Sequence, residues 1–158
     1  METLNLPSFE IFDKHWALLT AGSMESHNAM TISWGGLGTL WGKKMATVYV
    51  KPIRYTYEFM EKSEYFTVSF YPEKYREALT ILGTKSGRGC DKLSLAGFTA
   101  VPAGKAVTFE QAELTLVCKK LYYQDLELKN MPADAVKAFY TSEAPHRMYL
   151  GEVVDIIK

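Results

Sequence analysis

The sequence predicts a mainly β domain with helical insertions, arranged as an antiparallel barrel and not as a doubly wound sheet. Strand-like segments tend to follow one another directly, whereas a doubly wound sheet needs a helix between successive strands. The chain has 158 residues, 47% of them hydrophobic, which suits one core. No repeat, low-complexity tract or linker divides the sequence, so residues 1–158 are predicted to form a single domain.

Four strands are predicted in the first half of the chain, at residues 15–22, 28–34, 44–50 and 65–70. In the fourth segment, Phe66, Val68 and Phe70 alternate with hydroxyl-bearing residues. This two-residue period is typical of a strand with one buried face. Pro52 ends the third strand, because proline cannot donate to a sheet ladder.

Four helices are predicted, at residues 54–60, 72–83, 91–96 and 133–140. Pro72 suits a first helical position, because the N–H that proline lacks has no partner within a helix. Gly83 and Gly97 are expected to end the second and third helices.

Two longer strands are predicted in the second half of the chain, at residues 110–122 and 147–157. Cys118 shares a side with Leu114 and Leu116, which predicts a buried small side chain and not a nucleophile. Gly151 is expected to interrupt the last strand.

The charge balance excludes partners that would be attracted by a strong net charge on the protein. Lys and Arg together number 18, as do Asp and Glu, so neither nucleic acid nor an anionic membrane is predicted as a partner. A local cluster of basic residues must therefore hold any bound anion.

Two cysteines, Cys90 and Cys118, lie far apart and show no metal-ligand spacing, so no disulfide framework and no metal site is predicted. The chain opens without a basic segment followed by an apolar run, and no stretch approaches the ~20 apolar residues of a membrane span. These features predict a reducing, cytoplasmic location.

Three polar segments are candidates for ligand binding, at residues 28–35, 51–56 and 84–92. Each supplies hydroxyls and backbone amides, and the last two add the guanidinium groups of Arg54 and Arg88. If Thr56 lies near a helix N-terminus, its hydroxyl and the free amides point with Arg54 at one phosphate-sized spot. Taken singly, the second segment is better explained as an ordinary helix cap, and the third as an ordinary loop between helices.

The first polar segment mixes an amide, two hydroxyls and Trp34 with nearby glycines, which suits a flat, polar heterocycle. A glycine-rich turn beside a core tryptophan is the alternative. His146 stands at the entry of the last strand, within reach of a site built from other strand ends. No catalytic triad or carboxylate pair can be identified from spacing.

In order and spacing, these segments resemble the flavin reductase-like, FMN-binding split-barrel family, which includes flavoredoxin. The resemblance extends from about residue 16 to about residue 154. The motifs that carry it are Asn28–Trp34, Lys51–Thr56, Phe66–Phe70, Ser86–Arg88 with Asp91–Lys92, and His146 with Tyr149–Glu152.

This resemblance implies a Greek-key antiparallel split β-barrel and a homodimer with one FMN per subunit near the dimer interface. The implied cofactor-binding residues are Asn28, Met30, Thr31, Ser33, Trp34, Arg54, Tyr55, Thr56, Ser86, Arg88 and Lys92. Those of the first segment would lie along the ring and ribityl chain, and those of the last two around the phosphate. His146 would lie near the flavin ring as the candidate catalytic residue.

The function implied is that of an FMN-dependent oxidoreductase whose bound flavin accepts a hydride from NAD(P)H, or electrons from a protein donor. One alternative is a non-enzymatic electron carrier, and another is a split barrel that binds a different cofactor, such as haem. Flavin reductases of two-component monooxygenases commonly carry Gly-Asp before the histidine, whereas this chain has Ala144 and Pro145. That departure weakens the case for NAD(P)H oxidation more than the case for flavin binding.

Overall fold

The computed structural model describes residues 3–158, over which the chain forms nine strands and five short α-helices. The strands are β1 (Ala17–Gly22), β2 (His27–Ile32), β3 (Gly35–Leu40), β4 (Lys43–Val50), β5 (Tyr65–Phe70), β6 (Ala100–Ala103), β7 (Ala106–Phe109), β8 (Leu114–Asp125) and β9 (Arg147–Ile157). The helices are α1 (Glu10–Asp13), α2 (Tyr55–Lys62), α3 (Arg76–Thr84), α4 (Lys92–Ala96) and α5 (Ala133–Phe139). Within these residues, no helix is long and apolar enough to cross a membrane.

Seven strands form one antiparallel sheet in the order β2-β1-β5-β8-β9-β4-β3, and β6 and β7 form a separate hairpin. The two edge strands, β2 and β3, are consecutive in the chain and are joined by Ser33 and Trp34 alone. The sheet therefore curves until its edges meet at this corner, while within residues 3–158 β2 and β3 do not pair. This open barrel confirms the predicted antiparallel split barrel.

Both faces of β5 are buried, which differs from the single buried face predicted for it. Phe66, Val68 and Phe70 lie in the main core inside the barrel. Thr67 and Ser69 on the other face are also fully buried, and the Thr67 hydroxyl donates to the Val107 carbonyl of β7 at 2.7 Å. The small hairpin thus covers the outer face of β5 and satisfies the Thr67 hydroxyl, which alternation alone would assign to solvent, while the Ser69 hydroxyl lies 2.8 Å from that of Tyr71.

Several element boundaries differ from those predicted. Pro72 precedes a 3-10 turn over Glu73–Tyr75, and α3 begins only at Arg76 and passes through Gly83 to Thr84. Residues 110–113 form a turn, so the predicted strand at 110–122 starts at Leu114. The strands β3, β6 and β7 and the helix α1 were not predicted, because glycine-rich or very short segments carry little periodicity.

The C-terminal end of α2 is fixed to the sheet by polar contacts. The Lys120 ammonium donates to the carbonyls of Met60 (2.6 Å) and Glu61 (3.2 Å), and the buried Tyr149 hydroxyl donates to the Glu61 carboxylate at 2.6 Å. A cation at this end also suits the helix dipole. Strands β8 and β9 therefore set the direction in which the N-terminus of α2 points.

The last strand passes through Gly151 without the predicted break, since β9 pairs with β8 and with β4 on either side of that residue. A Cβ at Gly151 would lie 2.5 Å from the Phe66 ring and 2.9 Å from the Cys118 Cβ. The glycine is thus required because an aromatic ring packs directly on the backbone.

We therefore expect Gly151→Ala to lower the free energy of unfolding by about 1–3 kcal/mol, because the Phe66 ring must shift within the core. Urea denaturation of the variant measures this loss. Gly38→Ala is the matched control, since Gly38 also lies in a strand and a Cβ there would meet nothing within 4 Å. Equal stability of Gly151→Ala and the wild type would contradict the packing argument.

Candidate functional site

A cavity of about 260 Å³ lies at the N-terminus of α2, where the start of β2, the end of α3 and the following loop converge. Six predicted cofactor-binding residues line it, namely Asn28, Arg54, Tyr55, Thr56, Ser86 and Lys92. The structure thus brings together side chains from all three polar segments of the sequence. We call this space the α2 cavity.

The N-terminus of α2 supplies the backbone amides of the cavity. Arg54 is the N-cap, with extended backbone dihedrals, and Thr56 follows at the second helical position. The buried Thr56 hydroxyl accepts a hydrogen bond from the Asn28 side-chain amide at 2.8 Å, which leaves the hydroxyl proton free to donate. This end of the helix carries partial positive charge and unpaired N–H groups.

Two cations of the cavity are held by carbonyls at the C-terminal end of α3. Lys92 is 3% exposed, and its ammonium donates to the carbonyls of Leu82 (3.1 Å) and Lys85 (3.2 Å). The Arg54 guanidinium donates to the Gly83 carbonyl at 3.3 Å. Carbonyls at a helix C-terminus carry partial negative charge, so they hold cations in place without neutralising them.

Burial perturbs both cations, and repulsion from Arg54 also acts on Lys92. Burial, and to a smaller extent the nearby Arg54 charge, lower the pKa of Lys92 to about 8. Burial also lowers the pKa of Arg54, which Glu143 partly offsets. Among the described residues that line the α2 cavity, none carries a carboxylate. The cavity therefore has an excess of positive charge and suits an anion.

The loop after α3 closes one side of the cavity and depends on Gly87. A Cβ at Gly87 would lie 2.3 Å from the Asn28 side-chain oxygen and 3.1 Å from the Tyr55 ring. The Ser86 hydroxyl accepts the Arg88 amide at 3.2 Å. A side chain at position 87 would push this loop away from α2.

The Arg88 side chain turns away from the α2 cavity. Its guanidinium pairs with Glu58 at 2.8 Å, donates to the Ile53 carbonyl at 3.2 Å and lies over the Tyr55 ring. It lines instead a larger open cavity of about 770 Å³ that shares Asn28, Tyr55 and Lys92 with the α2 cavity. Arg88 thus holds the loop against α2. Its contact with a phosphate stays a prediction.

The predicted ring-lining residues do not all face one way. Met30 lies in the main core at 5% exposure, whereas the Thr31 hydroxyl on the opposite face donates to the Leu79 carbonyl of α3 at 2.6 Å. Ser33 and Trp34 form the corner between β2 and β3, and the Trp34 side chain is 43% exposed. Alternation along a strand places Met30 and Thr31 on opposite faces, and the predicted contacts of these four residues with a flavin stay a prediction.

An aromatic cluster around His146 lies beside Trp34. The His146 ring is 5.5 Å from the Trp34 ring, and its Nδ1 is 2.6 Å from the Tyr140 hydroxyl. Burial, together with the charges of Lys51 and Arg54, lowers the pKa of His146 to about 4, although Glu143 acts in the opposite direction. The imidazole is therefore neutral near pH 7.

Sequence reasoning missed three members of this cluster, Tyr140, Phe139 and Lys51. The Lys51 ammonium donates to the Phe139 carbonyl at 2.7 Å, pairs with Glu143 at 2.8 Å and lies 5.2 Å from the Tyr140 ring centroid. In the sequence, only the place of Lys51 in the second polar segment indicated that it could belong to a site. An apolar cavity of about 500 Å³ opens between this cluster and the end of β8.

A family model described as "Flavin reductase like domain" matches residues 10–157. The chain belongs to this family. The family resemblance predicted from the motifs is thereby confirmed, and flavin is the cofactor that such domains bind. A search of curated proteins found no match to this flavin reductase-like domain.

Solved structures share the fold of this domain. An FMN-binding protein from Thermus thermophilus, with bound 1-cyclohex-2-enone, is 19% identical, with a TM-score of 0.73 over 100% of this chain and 78% of that one. Flavoredoxin from Methanosarcina acetivorans is 19% identical, with a TM-score of 0.74 over 100% and 75% of the two chains. Flavoredoxin of Desulfovibrio vulgaris (Miyazaki F) is 21% identical, with a TM-score of 0.71 over 99% and 73%.

The buried Lys92 should make the stability of this domain depend on pH. Its pKa is about 8 in the folded state against an ordinary 10.5, so the unfolded chain binds the proton more tightly. Stability from this group therefore rises as the pH rises from about 8 to about 10.5. We expect the free energy of unfolding of the wild type, minus that of Lys92→Met, to rise over this range.

Urea denaturation at intervals of pH, without added ligand, measures this difference. Lys129→Met is the control, because Lys129 is exposed and lies in a turn remote from the α2 cavity. A difference between wild type and Lys92→Met that stays flat across the range would refute the account of Lys92.

Proposed function

We propose that this domain binds FMN with the phosphate in the α2 cavity and acts as a flavin-dependent oxidoreductase. In this proposal the bound flavin accepts a hydride from NAD(P)H, or electrons from a protein donor, and passes them on. One observation carries the proposal: beside a helix N-terminus, Lys92 is buried and Arg54 partly buried, and none of the described residues that line the cavity carries a carboxylate.

A phosphate monoester fits these residues chemically. It carries a charge of about −1.5 to −2 at neutral pH and offers three strong acceptor oxygens. Arg54 and Lys92 supply the opposite charge, while the Thr56 hydroxyl and the first amides of α2 supply neutral donors. Burial and repulsion from Arg54 lower the pKa of Lys92, and an anion here would offset the repulsion.

The corner between β2 and β3 suits the ring end of the ligand. Trp34 is partly exposed there, and its ring contacts those of His146 and Phe139, at 5.5 and 4.9 Å between centroids. When bound, the flavin supplies the hydride and electron chemistry, so the protein needs to orient the ring and limit access to it. In this proposal His146 is a neutral hydrogen-bonding group near the ring.

The FMN-binding protein and flavoredoxin structures support FMN over haem as the cofactor. They leave two functions, a reductase that oxidises a nicotinamide and an electron carrier that does not. The predicted homodimer, the cytoplasmic location and the identity of the electron donor stay predictions.

Arg54→Ala should weaken FMN binding more than riboflavin binding, because only FMN carries the phosphate. A charge-assisted contact of this kind contributes roughly 1.5–3 kcal/mol, or about ten- to a hundred-fold in affinity. Quenching of flavin fluorescence on titration with protein gives both dissociation constants. A matched control is Arg76→Ala, since Arg76 lies over the Trp16 ring and contacts the carbonyls of Lys14 and His15.

The same loss of affinity for both flavins would assign Arg54 to folding and not to the phosphate. An unchanged affinity for FMN would place the phosphate outside the α2 cavity.

Anaerobic addition of NADH or NADPH to the FMN-loaded protein separates the two functions. A reductase bleaches the flavin absorbance within the time of a few turnovers, whereas an electron carrier stays yellow until a protein donor or dithionite is added. Free FMN at the same concentration is the control. Absence of bleaching with both nucleotides would reject the reductase and leave the electron carrier.

A further inference from the structure

Tyr140 and His146 form the shortest side-chain contact of the aromatic cluster. The Tyr140 hydroxyl oxygen lies 2.6 Å from Nδ1 of His146, and both residues are partly buried. The ring centroids are 5.5 Å apart with an interplanar angle of 83°, so the hydroxyl meets the edge of the imidazole where Nδ1 lies. The contact has the length of a strong hydrogen bond.

The direction of this hydrogen bond follows from the chemistry of the two groups. A phenol O–H is a good donor and its oxygen a weak acceptor, while an unprotonated imidazole nitrogen is a good acceptor. With His146 neutral, the Tyr140 hydroxyl therefore donates to Nδ1. The single ring proton of the imidazole must then be on Nε2.

Surrounding residues hold this geometry. The Lys51 ammonium binds the Phe139 carbonyl, which directly precedes Tyr140, and lies over the Tyr140 ring. The carbonyl of His146 accepts the Leu126 amide at 3.0 Å, which fixes the backbone on the other side of the contact. These contacts fix the backbone on both sides of the hydrogen bond between Tyr140 and His146.

The other nitrogen of His146 is available to a ligand. Among residues 3–158, Nε2 of His146 has no hydrogen-bond partner, and the ring is only partly buried. The charged or titratable side chains that act on the ring are those of Lys51, Arg54, Glu143, Tyr49 and Tyr140. The two cations outweigh the one carboxylate and disfavour a second proton on the ring.

We propose that Tyr140 is a positioning residue that holds His146 as the neutral Nε2–H tautomer, which presents one hydrogen-bond donor to a ligand beside Trp34. Such a donor selects a neutral or anionic acceptor atom, such as a ring nitrogen or a carbonyl oxygen, and disfavours a cationic group. The tautomer does not depend on the proposed function. The identity of the ligand, as a flavin or as the electron acceptor of a flavin, rests on the proposed function.

Nitrogen-15 NMR of the labelled protein without flavin tests the tautomer directly. In the wild type at pH 7, we expect Nε2 of His146 to be protonated and Nδ1 to show the shift of an accepting nitrogen. His146→Gln identifies the signals, because they are then lost while those of His15 and His27 persist. A wild-type protein with the proton on Nδ1 would overturn the proposal without any variant of Tyr140.

Tyr140→Phe removes the hydroxyl and keeps the ring. We expect both tautomers to become populated and the pKa of His146 to rise by roughly 0.5–1, since the lost hydrogen bond favours the neutral form. Tyr49→Phe is the matched control, because the Tyr49 ring is also near His146, at 6.4 Å, and its hydroxyl makes no hydrogen bond within residues 3–158. An unchanged tautomer and pKa in Tyr140→Phe would reject the positioning role.

Addition of FMN tests the ligand part of the proposal. The Nε2 signal of His146 should shift in wild-type protein that has bound FMN, and a signal that does not move would reject His146 as the donor to the flavin. Failure of the wild type to bind FMN at all would instead reject the proposed function, and the tautomer result would still stand.

Discussion

The candidate site depends on the contact between two cations and the carbonyl end of α3. Arg54 and Lys92 come from different segments, yet both donate to carbonyls within residues 82–85. These contacts satisfy their N–H groups while leaving the charges unpaired, because a carbonyl offers only a partial negative charge. The protein thereby keeps a buried excess of positive charge that a carboxylate would have cancelled.

Close backbone approaches make this arrangement sterically feasible. Gly83 lets α3 lie against β2, since a Cβ there would be 3.1 Å from that of Thr31. Gly87 does the same for the following loop against Asn28. The Thr31 hydroxyl of β2 donates a hydrogen bond to the Leu79 carbonyl of α3 at 2.6 Å, which holds the helix against the strand. In the sequence these two glycines resemble ordinary helix-ending and loop glycines. In the structure each is required because a neighbouring side chain packs directly against its backbone.

Local patterns predicted the barrel and the α2 cavity well, because both depend on features that recur along the chain. Alternation identified β5, and the helical pattern that begins at Arg54 identified the N-terminus of α2. The orientation of Arg88 could not be predicted, since its pairing with Glu58 links residues 30 positions apart. Tyr140 was missed for a similar reason, because the end of a short exposed helix gives no signal that its side chain meets His146.

Arg54 lies between the two halves of the site, and its charge acts on both. It lowers the pKa of Lys92 on one side and that of His146 on the other. An anion that neutralises Arg54 must therefore make it easier to protonate His146. By thermodynamic linkage the reverse also holds, so a proton on His146 strengthens the hold on the anion. The charge of one side chain thus acts on both ends of the site.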